Sequence, residues 1–220
     1  MTPDPGDLPI ALIELYASIQ GESTHAGRPC TFVRLAGCPL RCRWCDSAYT
    51  FGAGTKTTVA AIVAEVRALG LPLVEVTGGE PLAQKHAAAL IGALCQEGLD
   101  VLVETSGAIP FAQLDPRARI IADLKCPASN ESHRNLWDAL AKLRVQDELK
   151  IVVADRADFD WALAQLPLRL AGLPATVLWS AAHGELDAAD LAAWVLATRA
   201  PGRLQVQLHK VLWPTAIRGV

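Results

Sequence analysis

Eight short runs rich in apolar and β-branched side chains punctuate this chain: Leu12 to Tyr16, Thr31 to Leu35, Leu73 to Thr77, Val101 to Thr105, Ile120 to Leu124, Leu149 to Val153, Ala175 to Trp179 and Leu204 to Leu208. Between many of them lie stretches with helical spacing, at Thr57 to Leu69, Ala83 to Glu97, Ser132 to Arg144, Asp158 to Leu166 and Asp187 to Thr198. Buried strands separated by helices are joined by crossovers, which implies a parallel sheet. Thr58, Ser132 and Asp187 are plausible helix caps, the last with Asp190 three residues on. With no repeat and no linker, the 220 residues read as a single α/β domain, 1–220. A complete eightfold barrel takes about 250 residues, so either a reduced, open barrel or a doubly wound sheet fits, and periodicity does not separate the two.

Charge and hydropathy narrow the partners. Lys and Arg total 20 against 23 Asp and Glu, a net charge of -3, which leaves no basic footprint for nucleic acid and points to a small ligand. The opening residues, Met1 to Ile10, carry acidic and proline residues and no apolar core, unlike a signal peptide. The apolar run Ala87 to Cys95 is about half of a membrane span. A soluble, cytoplasmic protein with no membrane partner is expected. In a parallel sheet function collects at the carboxyl ends of the strands, and the polar motifs lie there: the cysteine loop after Leu35, Thr77 to Pro81, Glu104 to Gly107, Asp123 to Lys125, and Trp179-Ser180.

The loop Gly37 to Asp46 carries Cys38, Cys42 and Cys45 at spacing C-x3-C-x2-C. Uneven crowding of this kind is not a secreted disulfide framework; it suggests metal. Structural zinc takes four protein ligands, commonly in two separated pairs, and only Cys30 and His25 offer themselves as further donors. Cys95 and Cys126 stand singly, as buried free cysteines do. Three thiolates suit a four-iron cluster that keeps one iron open for substrate or cofactor. Cluster and zinc both stand on spacing alone.

At this loop the sequence resembles the radical S-adenosylmethionine (SAM) enzymes, whose C-x3-C-x-aromatic-C signature is matched by Cys38, Cys42, Trp44 and Cys45. Their second motif is matched by Gly78-Gly79-Glu80-Pro81 after a strand, where glycines would let the backbone approach the methionine amino group. The resemblance implies a partial or reduced (βα) barrel of the radical SAM type and one [4Fe-4S] cluster on the three cysteines. It also implies SAM contacts at Trp44, Cys45, Asp46, Gly79, Glu80, Ser106, Asp123, Leu124, Lys125 and Ser180.

Ile19-Gln20-Gly21-Glu22-Ser23, Gly27 to Cys38, Cys45-Asp46-Ser47, Glu104 to Gly107 and Gln207-Leu208-His209-Lys210 together resemble the 7-carboxy-7-deazaguanine synthase family over almost the whole chain. That resemblance implies a carbon-nitrogen lyase of queuosine and 7-deazapurine biosynthesis. A 5'-deoxyadenosyl radical takes a hydrogen from C6 of 6-carboxy-5,6,7,8-tetrahydropterin, the ring contracts, ammonia leaves and SAM is regenerated. It further implies substrate contacts at Ile19, Gln20, Gly21, Glu22, Arg34, Thr77 and His209, Mg2+ on Ser47, a homodimer and a flavodoxin-like electron donor. Other uses stand beside these: Arg34 pairing with Glu14 or Glu22, Ser47 capping a turn, His209 ending a strand, and Lys125 and Lys150 as interior partners of acids. Asp123-Leu124-Lys125 replaces a Ser-Pro-Lys of several relatives, and the chain runs on from Trp213 to Val220, which leaves any role for Val220 open. The rivals are a glycyl-radical activating enzyme, which needs a protein partner, and a zinc or iron-sulfur binding module without catalysis.

Overall fold

The computed structural model describes residues 8–216 and 218–220, so residues 1–7 of the opening segment lie outside it. Nine strands, β1 (Pro9–Ile19), β2 (Pro29–Leu35), β3 (Thr55–Thr58), β4 (Leu73–Gly78), β5 (Asp100–Thr105), β6 (Arg119–Lys125), β7 (Glu148–Val153), β8 (Thr176–Ala181) and β9 (Arg203–Gln205), form one sheet in the order β3-β1-β2-β4-β5-β6-β7-β8-β9. From β2 to β9 all neighbours are parallel. The expectation of a wholly parallel sheet fails at one edge, where β1 runs antiparallel to both β2 and β3. The link from β1 to β2, residues 20–28, is too short for a helical crossover, so the two strands pair as a hairpin. The end strands β3 and β9 do not pair with each other, so the sheet is an open, partial barrel.

The helices are α1 (Val59–Leu69), α2 (Ala87–Gln96), α3 (Trp137–Leu140), α4 (Arg156–Arg169), α5 (Ala188–Thr198) and α6 (Leu208–Leu212). Thr58 and Asp187 cap α1 and α5 through their side-chain oxygens. Ser132 does not: the helix expected over Ser132 to Arg144 survives only as α3 after a short 3-10 turn. The Asn135 side chain binds the backbone N–H and C=O of Lys125, both at 2.9 Å, and the competing bonds hold Asn135 extended. The strand expected to reach Leu208 stops at Gln205, because the Leu208 N–H donates to Gly21 O (2.9 Å) instead of to the sheet. Among the described residues no helix is long and apolar enough to cross a membrane.

Period-two alternation sorts the strand residues by face. Val74, Val76, Val103, Ala122, Leu124, Ile151 and Trp179 point to the helices and form the main core. The other face carries a small apolar plug, Cys30, Phe32, Leu73, Leu102 and Ile121 with Tyr16, with Tyr16 stacked on Phe32 at 5.3 Å. Two residues on along the same strands, that face turns polar: Arg34, Glu75, Glu104 and Asp123. The sheet therefore has a sealed end and a polar end, and the polar end is the one at the strands' carboxyl termini.

Candidate active site

A cavity of about 490 Å³ opens over that end. Among the residues expected to bind substrate, Ile19, Gln20, Gly21, Glu22, Arg34, Thr77 and His209 all line it. Of those expected to touch SAM, Trp44, Cys45, Asp46, Gly79, Ser106, Asp123 and Lys125 line it and three do not. Leu124 points into the helix-side core because its neighbours Asp123 and Lys125 take the cavity face. Ser180 is buried, and the wall is formed instead by Ala181, Ala182 and His183, which follow it. Glu80 is fully buried and spends its carboxylate inside the protein, accepting from Thr105 Oγ1 (3.0 and 2.9 Å), Ser106 N (2.7 Å) and Ser106 Oγ.

Cys38, Cys42 and Cys45 are half-buried free thiols on one wall of this cavity, whereas Cys30, Cys95 and Cys126 are buried away from it. Cys30 belongs to the apolar plug, and His25 is held by Arg28 (2.7 Å), so neither completes a zinc set. Among the described residues no three ligating side chains converge on a single ion. Burial pushes the Cys38 and Cys42 thiols up, and Lys125 opposes that rise in both. A cluster binding three separate thiolates on one wall with a cavity beside it fits this donor set. The loop is fastened through backbone contacts: Arg43 N donates to Ser129 O (3.1 Å) and Glu80 N to Gly37 O (2.9 Å). At Gly78, with φ of +147°, a Cβ would strike Leu35 O, and at Gly79 it would strike Gly37 O. The glycine pair therefore has a packing role that sequence reading did not anticipate, seating the loop after β4 against the cysteine loop.

The distant ends of the chain meet across the mouth. Ser23 N donates to Gln205 Oε1 and Gln207 Nε2 to Glu22 Oε1, both at 2.8 Å, and His209 packs on Gly21 so closely that any Cβ there would collide with its ring. His209 lies in α6, which corrects the reading of it as a strand-ending residue, and burial lowers its pKa. Gly21 is glycine because His209 needs the space. Val220 also comes to the cavity, its carbonyl oxygen accepting from Tyr16 Oη at 3.0 Å.

Charges in the wall are paired. Arg34 is in the cavity and also bound to Glu14: its Nε donates to Glu14 Oε1 (2.9 Å) and its Nη2 to Tyr16 Oη (3.1 Å), while Tyr49 Oη donates to Glu14 Oε1 (2.8 Å). Burial works against the Arg34 charge, but Tyr16, Tyr49 and Glu14 outweigh it and the net shift is upward. Lys150 Nζ donates to Glu22 (2.9 Å) and Glu104, and stands 3.9 Å from Asp123. The reading of Lys150 as an interior partner of acids holds, as it does for Lys125, bound to Asp123 at 2.8 Å. Oδ1 of Asp123, the residue's atom nearest Lys150, is a buried acceptor without a hydrogen-bond partner among the described residues. Ser47 precedes a 3-10 turn (Ala48–Phe51), yet its side chain makes no capping bond; its hydroxyl lies 3.7 Å from Cys45 Sγ.

Sequence reading passed over Glu75 and Tyr49, which also line the cavity, and gave Gln207, Glu104 and Lys150 no site role. Glu75, Glu104 and Lys150 were detectable as charges inside predominantly apolar strands, where burial demands a partner or a purpose. Tyr49 and Gln207 carry no such signal.

A cysteine triad beside a polar cavity at the carboxyl ends of an open parallel sheet is the arrangement of a radical SAM domain, and the model of the Radical SAM superfamily matches residues 33–129. A 7-carboxy-7-deazaguanine synthase of Chlorobaculum tepidum is 41% identical over 97% of this chain and 99% of its own. One of Koribacter versatilis is 41% identical over 95% and 99%. In fold, the crystal structure of QueE from Escherichia coli superposes with a TM-score of 0.78 at 24% identity, over 93% of this chain and 96% of that one. The chain belongs to the 7-carboxy-7-deazaguanine synthase family, lyases of the radical SAM superfamily.

Proposed function

We propose that this enzyme converts 6-carboxy-5,6,7,8-tetrahydropterin to 7-carboxy-7-deazaguanine with loss of ammonia, serving queuosine or 7-deazapurine biosynthesis. One observation carries the reading: the Gln20 to Glu22 loop, Arg34 and His209, far apart in sequence, line the same cavity as the cysteine triad. Family membership implies a [4Fe-4S] cluster and SAM; Cys38, Cys42 and Cys45 would hold the cluster, which together with SAM would supply the hydrogen-abstracting radical. The chain's own residues bind and shield. Arg34, fixed through Nε and Nη2, keeps Nη1 free to take the substrate carboxylate. Glu22 and Gln20 supply acceptor and amide for the amino-pyrimidinone edge, Thr77 a hydroxyl, and His209, neutral because burial lowers its pKa, one further donor or acceptor. On the SAM side, Asp123 Oδ1, which accepts no hydrogen bond among the described residues, suits a ribose hydroxyl. Trp44, Asp46, Gly79, Ser106 and Lys125 form the remaining wall, with Glu80 holding Ser106 in place. Reaction in a homodimer, with a flavodoxin-like reductant, belongs to the same reading.

The test is binding. Arg34→Lys keeps the charge and loses the fork, so it should weaken substrate affinity about tenfold to a hundredfold while SAM affinity is little changed. A fall in SAM affinity with substrate affinity intact would reassign Arg34 to the cofactor.

Mg2+ on Ser47 is part of this proposal. The Ser47 side chain, which meets Cys45 Sγ at 3.7 Å but makes no capping bond, supports it, since a turn-capping role would have engaged that side chain. Mg2+ keeps most of its oxygens from water and ligand, so one protein hydroxyl suffices. After chelator treatment, added Mg2+ should raise wild-type turnover, and Ser47→Ala should lose most of that response while retaining its iron. Full stimulation of Ser47→Ala would return the serine to the turn.

A further inference from the structure

Glu75 lies on β4 in the cavity wall, 2% exposed, and no Lys or Arg pairs with it among the described residues. The groups that face it are Tyr16 on β1, Cys30 on β2, Glu22 in the loop after β1, Glu104 on β5 and Lys150 on β7. Lys150 is taken up by Glu22 and Glu104. Among the described residues, the one hydrogen bond to the Glu75 side chain comes from Gln20 Nε2, at 2.5 Å to Oε2. The orientation of that amide is not ambiguous, because Gln20 Oε1 accepts from the Glu22 backbone N–H, which can only donate. A buried carboxyl without a cation, beside the charged Glu104, is most stable with its proton on. Burial, then the Glu104 charge, push its pKa well above the carboxylate range, and Gln20 and Lys150 do not offset them.

We propose that Glu75 works as an uncharged carboxylic acid that fixes the Gln20 amide through Oε2 and presents its O–H to an acceptor atom of the bound heterocycle, a ring carbonyl oxygen or unprotonated ring nitrogen. Glu75 is thereby a specificity-determining residue: a ligand with an N–H at that position would face a donor. The inference rests on the pterin reading of the cavity.

Three variants separate it from a charged role. Glu75→Gln keeps a neutral donor and acceptor of the same shape; Glu75→Leu keeps volume alone; Glu75→Ala keeps neither. Binding of 6-carboxy-5,6,7,8-tetrahydropterin to the reconstituted, SAM-loaded protein should stay within about threefold of wild type in Glu75→Gln and weaken roughly tenfold to a hundredfold in Glu75→Leu and Glu75→Ala. Equal loss in all three would mean that the charged carboxylate is the ligand and would overturn the proposal. So would unchanged binding in all three. A second readout needs no ligand: the infrared difference spectrum of wild type minus Glu75→Gln at neutral pH should contain the C=O stretch of a protonated carboxylic acid, and a carboxylate band in its place refutes the assignment. Failure of the wild type to bind the pterin while the protonated-acid band is present would count against the pterin reading and not against the protonation of Glu75.

Discussion

Alanine at Cys38, Cys42 or Cys45 should each abolish the brown iron chromophore and SAM cleavage, whereas alanine at Cys95 or Cys126 should leave iron content near normal. The division follows from position. The first three thiols are half-buried on the cavity wall, and losing one leaves a cluster with too few thiolates. Cys95 on α2 and Cys126 after β6 are both buried in the helix-side apolar core, where each serves as a small hydrophobe. Neither lines the cavity that the loop borders. Iron and acid-labile sulfide analysis after anaerobic reconstitution reads the difference. Equal iron loss from Cys95→Ala would show that the donor set has been misassigned.

Lys150→Met is the substitution expected to cost most in stability. Its ammonium, 7% exposed, is shared by Glu22, Glu104 and the nearby Asp123; removing it leaves the half-buried Glu22 and Glu104 without a cation, while Asp123 keeps Lys125. Breaking a buried pair from one side costs roughly 3–5 kcal/mol, about 10 °C in Tm for a chain of this size. Burial alone would raise the pKa of Glu104, but Lys150 overrides it and brings it down to about 2. A carboxylate held below its unfolded value contributes stability that is present above about pH 4.5 and is lost as pH falls toward 2. In Lys150→Met that contribution is gone, and acid relieves the uncompensated charge. The gap in Tm between wild type and variant should therefore be widest near neutral pH and narrow as the pH is lowered through the carboxylate range. A gap that is small, or the same at every pH, would contradict the reading of Lys150 as the hub of this network.

Much of this was legible because parallel α/β sheets write their function into strand ends. The cysteine loop, the glycine pair and the Asp123-Leu124-Lys125 strand end all fell where alternation of strand and helix put them. What escaped was set by partners distant in sequence. The four-residue β3 became a strand only by pairing with β1, and its Thr-Lys-Thr-Thr has no apolar face to announce it. The Ser132 to Arg144 helix was lost to Asn135 bonding the backbone of Lys125, which periodicity does not encode. Leu124 was misplaced by one step of the pleat, a consequence of assigning a motif as a block when its residues alternate between faces. The pairing of Gly21 with His209 is a steric fact across 188 positions, visible only once the chain has folded.

The central claim is chemical, and one measurement addresses it directly. Protein reconstituted anaerobically with iron and sulfide, reduced, and incubated with SAM, Mg2+ and 6-carboxy-5,6,7,8-tetrahydropterin should release 7-carboxy-7-deazaguanine, identified by mass spectrometry, together with ammonia, while SAM is not consumed in proportion to product. An intact cluster that cleaves SAM to 5'-deoxyadenosine yet leaves the pterin unchanged would contradict the account.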